Sequence, residues 1–143
     1  MEEIQEQVNN LTKNDEIRYF YHFTPVSGDK ILEEGLIVAS SNFADSFLEF
    51  TEEELANIEQ VIRENPSTKW KQNNTLIIAG CYKDAMRSFI RKIRDDERYD
   101  INWEGVGNPD YIVNPEFLLG YIDLNTEEFV INEYAFIGED YTL

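Results

Sequence analysis

The sequence predicts an α+β fold, a single domain of mixed, mostly antiparallel sheets wrapped by two or three packed helices. Three observations predict it. The 143 residues match the length of one ordinary domain, and 42% of them are hydrophobic, enough to fill one core. Short runs rich in β-branched and aromatic residues, at 17–24, 75–81 and 117–124, have the composition of buried strands. Between the first two, Leu55, Ile58 and Ile62 recur at helical spacing.

Taken in order, residues 2–10 read as a short polar helix, loosely packed, that Asn9 and Asn10 end because asparagine favours caps over helix interiors. Residues 17–24 are dense in aromatics (Tyr19, Phe20, Tyr21, Phe23) and stop at Pro25, the pattern of a buried first strand. Ser27 then stands as N-cap of a helix reaching Glu34, with Ile31 and Leu32 inward and Gly35 as its positive-φ stop. Residues 36–39 form a brief extended segment. Residues 40–50 follow neither period and read as a loop with buried aromatic anchors, or as a short irregular helix.

Thr51 and Glu54 have the spacing of a capping box, which opens a helix over 52–64. Asn65, Pro66 and Ser67 end it, and a polar connection holding Trp70 leads to a central strand at 75–81. Over 83–98, Met86, Phe89, Ile90 and Ile93 fall on one helical face with Arg and Lys on the other, which predicts an amphipathic helix. Gly105, Gly107 and Pro109 break the chain before three strands at 111–113, 117–124 and 128–134, the last two joined by a turn at Asn125-Thr126.

Charge narrows the partners. Twelve Lys and Arg against 29 Asp and Glu leave a net charge of −17, which repels phosphate backbones and argues against unaided duplex DNA. Lys69, Lys71, Lys83, Arg87, Arg91, Lys92, Arg94 and Arg98 nevertheless crowd one stretch, read as a solvated face paired with Asp84, Asp95, Asp96 and Glu97, with a local anion site as the sharper alternative. No apolar run approaches the roughly 20 residues that span a bilayer, and the acidic start does not resemble a signal peptide, so no membrane partner is expected. A lone cysteine, Cys81, suits a reducing compartment, and the expected location is the cytoplasm. Cys81 ends an apolar run and reads as a small core residue; Trp70 and Trp103 read as core or pocket-wall anchors.

One His and one Cys exclude zinc sites of the usual Cys/His type, and no metal is expected. The chain has no phosphate-binding Gly-x-x-x-x-Gly-Lys loop, no Gly-x-Gly-x-x-Gly and no Gly-x-Ser-x-Gly elbow. What remains is Tyr21-His22-Phe23-Thr24, then Ile31-Leu32-Glu33-Glu34-Gly35-Leu36, and much later Asn108-Pro109-Asp110-Tyr111-Ile112-Val113. Together these resemble the ADP-ribosyltransferase superfamily, in particular its DNA-targeting toxin and RNA 2'-phosphotransferase branches. The resemblance covers about residues 19–38 and, more loosely, 106–124.

That resemblance implies an ADP-ribosyltransferase-like fold and transfer of ADP-ribose from NAD to an acceptor the sequence does not identify. It places His22 as the NAD-binding and catalytic histidine, with Thr24 beside it. Asp110 takes the position of the acceptor-side carboxylate, where the family usually has Glu; the side chain is one methylene shorter. Glu104 and Glu116 are the rival carboxylates nearby. For the mid-chain region that flanks the nicotinamide, Ser40, Ser41 and Tyr82 are the available residues. Without the flanking pattern, His22 reads as a strand-end histidine satisfied by a backbone carbonyl, and Asp110 as a turn residue before a strand. A second class stands beside the enzyme: a non-catalytic acidic interaction protein of immunity, inhibitor or nucleic-acid-mimic type that captures a basic partner. A third joins them, a transferase-like fold that keeps only binding.

Overall fold

Alternation along the first strand sets the architecture. In the computed structural model, which describes residues 2–39, 47–85, 90–92 and 110–135, β1 (Ile17–Thr24) sends Ile17, Tyr19, Tyr21 and Phe23 into one core and Phe20 into another. β1 pairs antiparallel over its whole length with β4 (Thr75–Tyr82), Ile17 opposite Tyr82 and Thr24 opposite Thr75. The two-residue strand β3 (Leu48–Glu49) lies on the outer edge of β1, and β7 (Leu118–Asp123) and β8 (Glu128–Ile131) follow on the far side of β4. The sheet order is β3-β1-β4-β7-β8, with every neighbouring pair antiparallel.

A second sheet is built from β2 (Leu36–Ala39), β6 (Asp110–Val113) and β5 (Ile90–Lys92), in the order β2-β6-β5 and again antiparallel. The first face of the large sheet is covered by α1 (Glu2–Leu11), α3 (Glu52–Ala56) and α4 (Ile58–Arg63), whose Ile4, Val8, Ile58 and Val61 pack on Tyr19, Tyr21, Leu76 and Ile78. The second face carries α2 (Gly28–Glu34) and the small sheet, through Ile31, Leu36 and Val113 packed on Phe20, Ile77 and Cys81. Both cores share one sheet, so the α+β class predicted from sequence is the class observed, in a single domain. No described helix is long and apolar enough to cross a membrane.

Local differences from the sequence expectations have identifiable causes. α1 runs through Asn9 and Asn10 to Leu11, and Ile4 and Val8 are buried, so it packs tightly. Asn9 is absorbed within the helix, its side-chain oxygen accepting from Gln5 one turn earlier at 2.8 Å. Ser27 sits at the start of α2 but makes no capping hydrogen bond, while Gly35 stops the helix at φ +99° as expected.

The capping box forms as predicted, Glu54 N–H donating to Thr51 Oγ1 and Thr51 N–H to Glu54 Oε1. The helix it opens is nevertheless two helices, broken at Asn57. Gln5 of α1 explains the break: its amide donates to the Leu55 carbonyl and accepts from Ile58 N–H, satisfying backbone groups that a break exposes. The amphipathic helix expected over 83–98 is corrected as well. Lys83–Ala85 form a single 3-10 turn, and Ile90–Lys92 form strand β5 against β6. A helical period over a few residues is overridden where a strand edge accepts the backbone's hydrogen bonds. The rest of that stretch lies outside the described residues. β8 ends at Ile131, where the Asn132 side chain ties down the Pro115 and Leu118 carbonyls. The turn before it is anchored by Asp123, whose carboxylate accepts from Asn125 and Thr126 N–H.

Candidate functional site

β1 ends at Thr24 because Pro25 cannot extend the ladder, and the chain turns at once into α2. That turn is braced twice: Val26 N–H donates to Thr24 Oγ1 at 3.2 Å, and Thr75 Oγ1, on the strand opposite, donates to the Val26 carbonyl at 3.0 Å. Thr24 is only 5% exposed. Its oxygen is used as an acceptor, and its hydroxyl hydrogen remains for another group.

α2 is fixed to the sheet from beneath. The Tyr121 hydroxyl donates to Asp29 Oδ1 at 2.6 Å, and its ring lies so close to Gly28 that any Cβ there would overlap it. Burial, reinforced by the hydrogen bond to Asp29, pushes the Tyr121 phenol up to about 12 from 10.0. α2 ends at Gly35 and the chain enters β2. Between these elements opens a cavity of about 430 Å³, bounded by Thr24 and Val26 after β1, Lys30, Ile31 and Glu34 of α2, and residues 35–37 at the start of β2. The volume suits a small-molecule site. Among the described residues its wall is half apolar, with one hydroxyl, one carboxylate and one ammonium.

The small sheet carries the third motif to this region. Ile37 lines the cavity and stands opposite Ile112 of β6, and Asp110 is two residues further along that strand, opposite Ala39. Two residues of strand amount to about 7 Å. Segments more than seventy residues apart in sequence are thus neighbours. His22 lies two residues before Thr24 on the same face of β1, 8% exposed, with its ring 6.5 Å from that of Phe47. It is not part of the cavity wall.

The structure does not bring Tyr82 to this place. It stands opposite Ile17, at the other end of β1 from Thr24, and packs half-buried against the first core. Ser40 and Ser41 lie outside the described residues, as does Glu104. Glu116 sits in a 3-10 turn beyond Val113, past the end of β6 opposite to Asp110. Cys81 is a buried core residue whose thiol burial pushes up to about 12 from 9.0, so it is no nucleophile. Trp70, expected as a buried anchor, is 89% exposed, with Lys69 over its ring; Trp103 lies outside the described residues. Among the described residues, no group of three or more His, Cys, Asp or Glu side chains could hold a metal. Lys30 went unremarked in the sequence because a single lysine inside a short helix carries no motif.

Compared with family models, with curated proteins and with solved structures, the chain gives no match.

Proposed function

We propose that the chain is an ADP-ribosyltransferase-like protein that binds NAD at the cavity between β1, α2 and β2 and transfers ADP-ribose to an acceptor of unidentified class. One observation carries the reading. Thr24 and the end of α2 at Glu34 and Gly35, two of the three segments of the sequence resemblance, line one cavity, and the third, in β6, pairs with the strand β2 whose start lines it. In this reading Thr24 offers its hydroxyl hydrogen to a ribose or amide oxygen, and Lys30, the one cation among the described residues of the wall, pairs with the diphosphate. His22 supports the strand end from within the sheet, and Asp110 serves the acceptor side. NAD supplies the chemistry: its bond between ribose and nicotinamide breaks, nicotinamide leaves with that electron pair, and an acceptor nucleophile bonds to the ribose carbon.

The test is isothermal titration with NAD on the wild type, Thr24→Val and His22→Ala at matched folding. Binding in the wild type that weakens at least tenfold in Thr24→Val, which removes a hydroxyl from the wall, and by less in His22→Ala, which stands behind it, supports the site. Absence of heat and of thermal stabilisation with millimolar NAD, in a folded sample, overturns it. The second reading, an acidic protein that captures a basic partner, is favoured by the net charge of −17 and by the glutamates at 2, 3, 127 and 128, which gather around one surface groove between α1 and the β7–β8 turn. Association with a cationic protein that slows sharply as salt rises would select that reading over the enzyme.

A further inference from the structure

On the opposite face of the sheet, a second cavity of about 380 Å³ lies between Tyr21 and Phe23 of β1, Leu48 of β3, Val61 of α4 and the loop over 65–74. Tyr21 and Phe23 meet edge to face, with ring centroids 6.2 Å apart, and the Tyr21 hydroxyl is engaged by Glu54, so both residues give the cavity their rings. Leu48, Val61 and Pro66 continue this apolar wall. Asn73 also borders the cavity but offers it no polar group: its side-chain nitrogen donates to Asn65, its N–H donates to Ser67 Oγ, its carbonyl accepts from Asn65, and its side-chain oxygen is covered. Among the described residues, the polar groups left are two charges of opposite sign, Glu64 at the end of α4 and Lys71 on the returning limb of the loop.

Both charges are exposed, and among the described residues neither has an ion-pair partner, so they share one rim without neutralising each other. Their backbones are fixed. Glu64 closes the last turn of α4 with its N–H, and its carboxylate accepts from the Gln60 amide at 3.2 Å. The Lys71 carbonyl accepts from Thr68 N–H at 2.7 Å, and Lys71 N–H donates to Thr68 Oγ1 at 3.0 Å. A rim set before binding loses less entropy when a ligand arrives. An apolar hollow under an anion and a cation complements a molecule that has an apolar body and both charges at one end. A purely anionic ligand would approach against Glu64 and a net charge of −17, and a purely cationic one would meet Lys71; a zwitterion meets neither cost. We infer that this cavity binds a free α-amino acid with a large apolar side chain, the side chain against Tyr21 and Phe23, the ammonium on Glu64 and the carboxylate on Lys71. Burial of the side chain supplies most of the affinity, and the exposed charges chiefly orient the ligand. The site is on the face away from the cavity beside α2 and does not depend on what binds there.

The probes are L- and D-phenylalanine, titrated into the full chain and followed by NMR at about 0.15 M salt, where the field of distant charges is screened. One enantiomer is expected to bind more tightly and to show intermolecular contacts to the Tyr21 and Phe23 ring protons. Phenethylamine lacks the carboxylate and 3-phenylpropanoate lacks the ammonium; each should bind about fivefold more weakly, the effect of losing one exposed pair, and serine, which lacks the apolar body, should not bind. Lys71→Met should remove the advantage over phenethylamine, and Glu64→Gln the advantage over 3-phenylpropanoate; both side chains are exposed, so neither variant disturbs the core. In Glu64→Lys/Lys71→Glu the charges trade places. Exchanging two of three attachment points around a tetrahedral carbon reverses its handedness, so that variant should prefer the opposite enantiomer. Absence of contacts to the two rings, phenethylamine or 3-phenylpropanoate binding as tightly as phenylalanine, or an unchanged enantiomer preference in the exchanged variant would each overturn the assignment.

Discussion

The two faces of the five-stranded sheet come from the same strands, yet they end differently. On the first, Tyr19, Tyr21, Leu76, Ile78 and Ile122 lie under α1 and α4, and the cavity near Phe23 has a mostly apolar wall. On the second, Phe20, Ile77 and Tyr121 form an equally buried centre, but the last row of the ladder is polar: Thr24 opposite Thr75, Thr75 opposite Asp123, Asp123 opposite Glu128. That polar row lies at the end of β1 where the chain turns into α2 and the cavity beside α2 opens. Strand alternation decides what each face buries, and the layer packed on it decides what is left open. Three helices close one side, whereas a seven-residue helix and a small sheet leave a hydroxyl, a carboxylate and an ammonium on a cavity wall.

The largest test of this comparison sets the faces against each other at adjacent positions. Ile77 and Ile78 are both fully buried, one on each face. Ile78→Ala and Ile77→Ala should each cost about 2–5 kcal/mol of unfolding free energy in urea titration. A cost well below that range for Ile77 alone would mean the second face is loosely packed, and the cavity there would be slack rather than shape.

A smaller effect isolates α2. Gly28→Ala forces a methyl against the Tyr121 ring, and displacing a packed ring costs about 1–3 kcal/mol. The NAD binding proposed for the cavity beside α2 should weaken with it, since α2 is one of its walls. The same ring gives a pH signature. A phenol whose pKa is raised from 10.0 to about 12 in the folded state contributes stability that is fully present below pH 10 and lost as pH rises toward 12. The Cys81 thiol, raised from 9.0 to about 12, acts with the same sign from pH 9 upward. The urea midpoint should therefore fall through this alkaline window, and Tyr121→Phe should make the decline shallower above pH 10. An unchanged slope in that variant would show that neither burial nor the bond to Asp29 holds the phenol protonated.

Much of this was legible because the residues that settle it are close in sequence. The aromatic-dense run of 17–24, stopped by Pro25, predicted β1, the β-branched run at 75–81 predicted β4, and Thr51 with Glu54 predicted a helix start. The break at Asn57 was not legible, since its cause is Gln5, some fifty residues away. Nor was β5: Ile90 and its neighbours satisfy a helical period, and only the free edge of β6 makes them a strand. Trp70 shows the same limit from the other side, because nothing local distinguishes a buried tryptophan from one held out on a braced loop. Of the site residues, Thr24 reaches the cavity, and the strand bearing Asp110 lies beside it. His22 stands behind the wall, and Tyr82 is at the opposite end of the ladder; the six residues that separate the two ends of β1 are invisible to a motif.

The smallest expected effect lies at that opposite end. Arg18 donates to both carboxylate oxygens of Glu49, at 2.8 and 2.6 Å, tying the edge strand β3 to β1, and its guanidinium also lies 5.6 Å from the centre of the Phe20 ring. The hydrogen bonds from Arg18 hold the Glu49 carboxyl below its usual range. A lowered folded pKa contributes stability that is present above the unfolded value of 4.5 and lost as pH falls through the folded one, so the pair matters at neutral pH and disappears in acid. Both side chains are two-fifths exposed, and exposed pairs contribute about 0.2–1 kcal/mol, less at high salt. Glu49→Gln should therefore cost a few tenths of a kcal/mol at pH 7 and low salt, and nothing at pH 3 or in 1 M salt. Arg18→Ala should cost more and keep part of its cost in salt, because it also uncovers Phe20. Equal costs for the two variants, both erased by salt, would mean that the contact with Phe20 contributes nothing and that this end of the second face is held by charge alone.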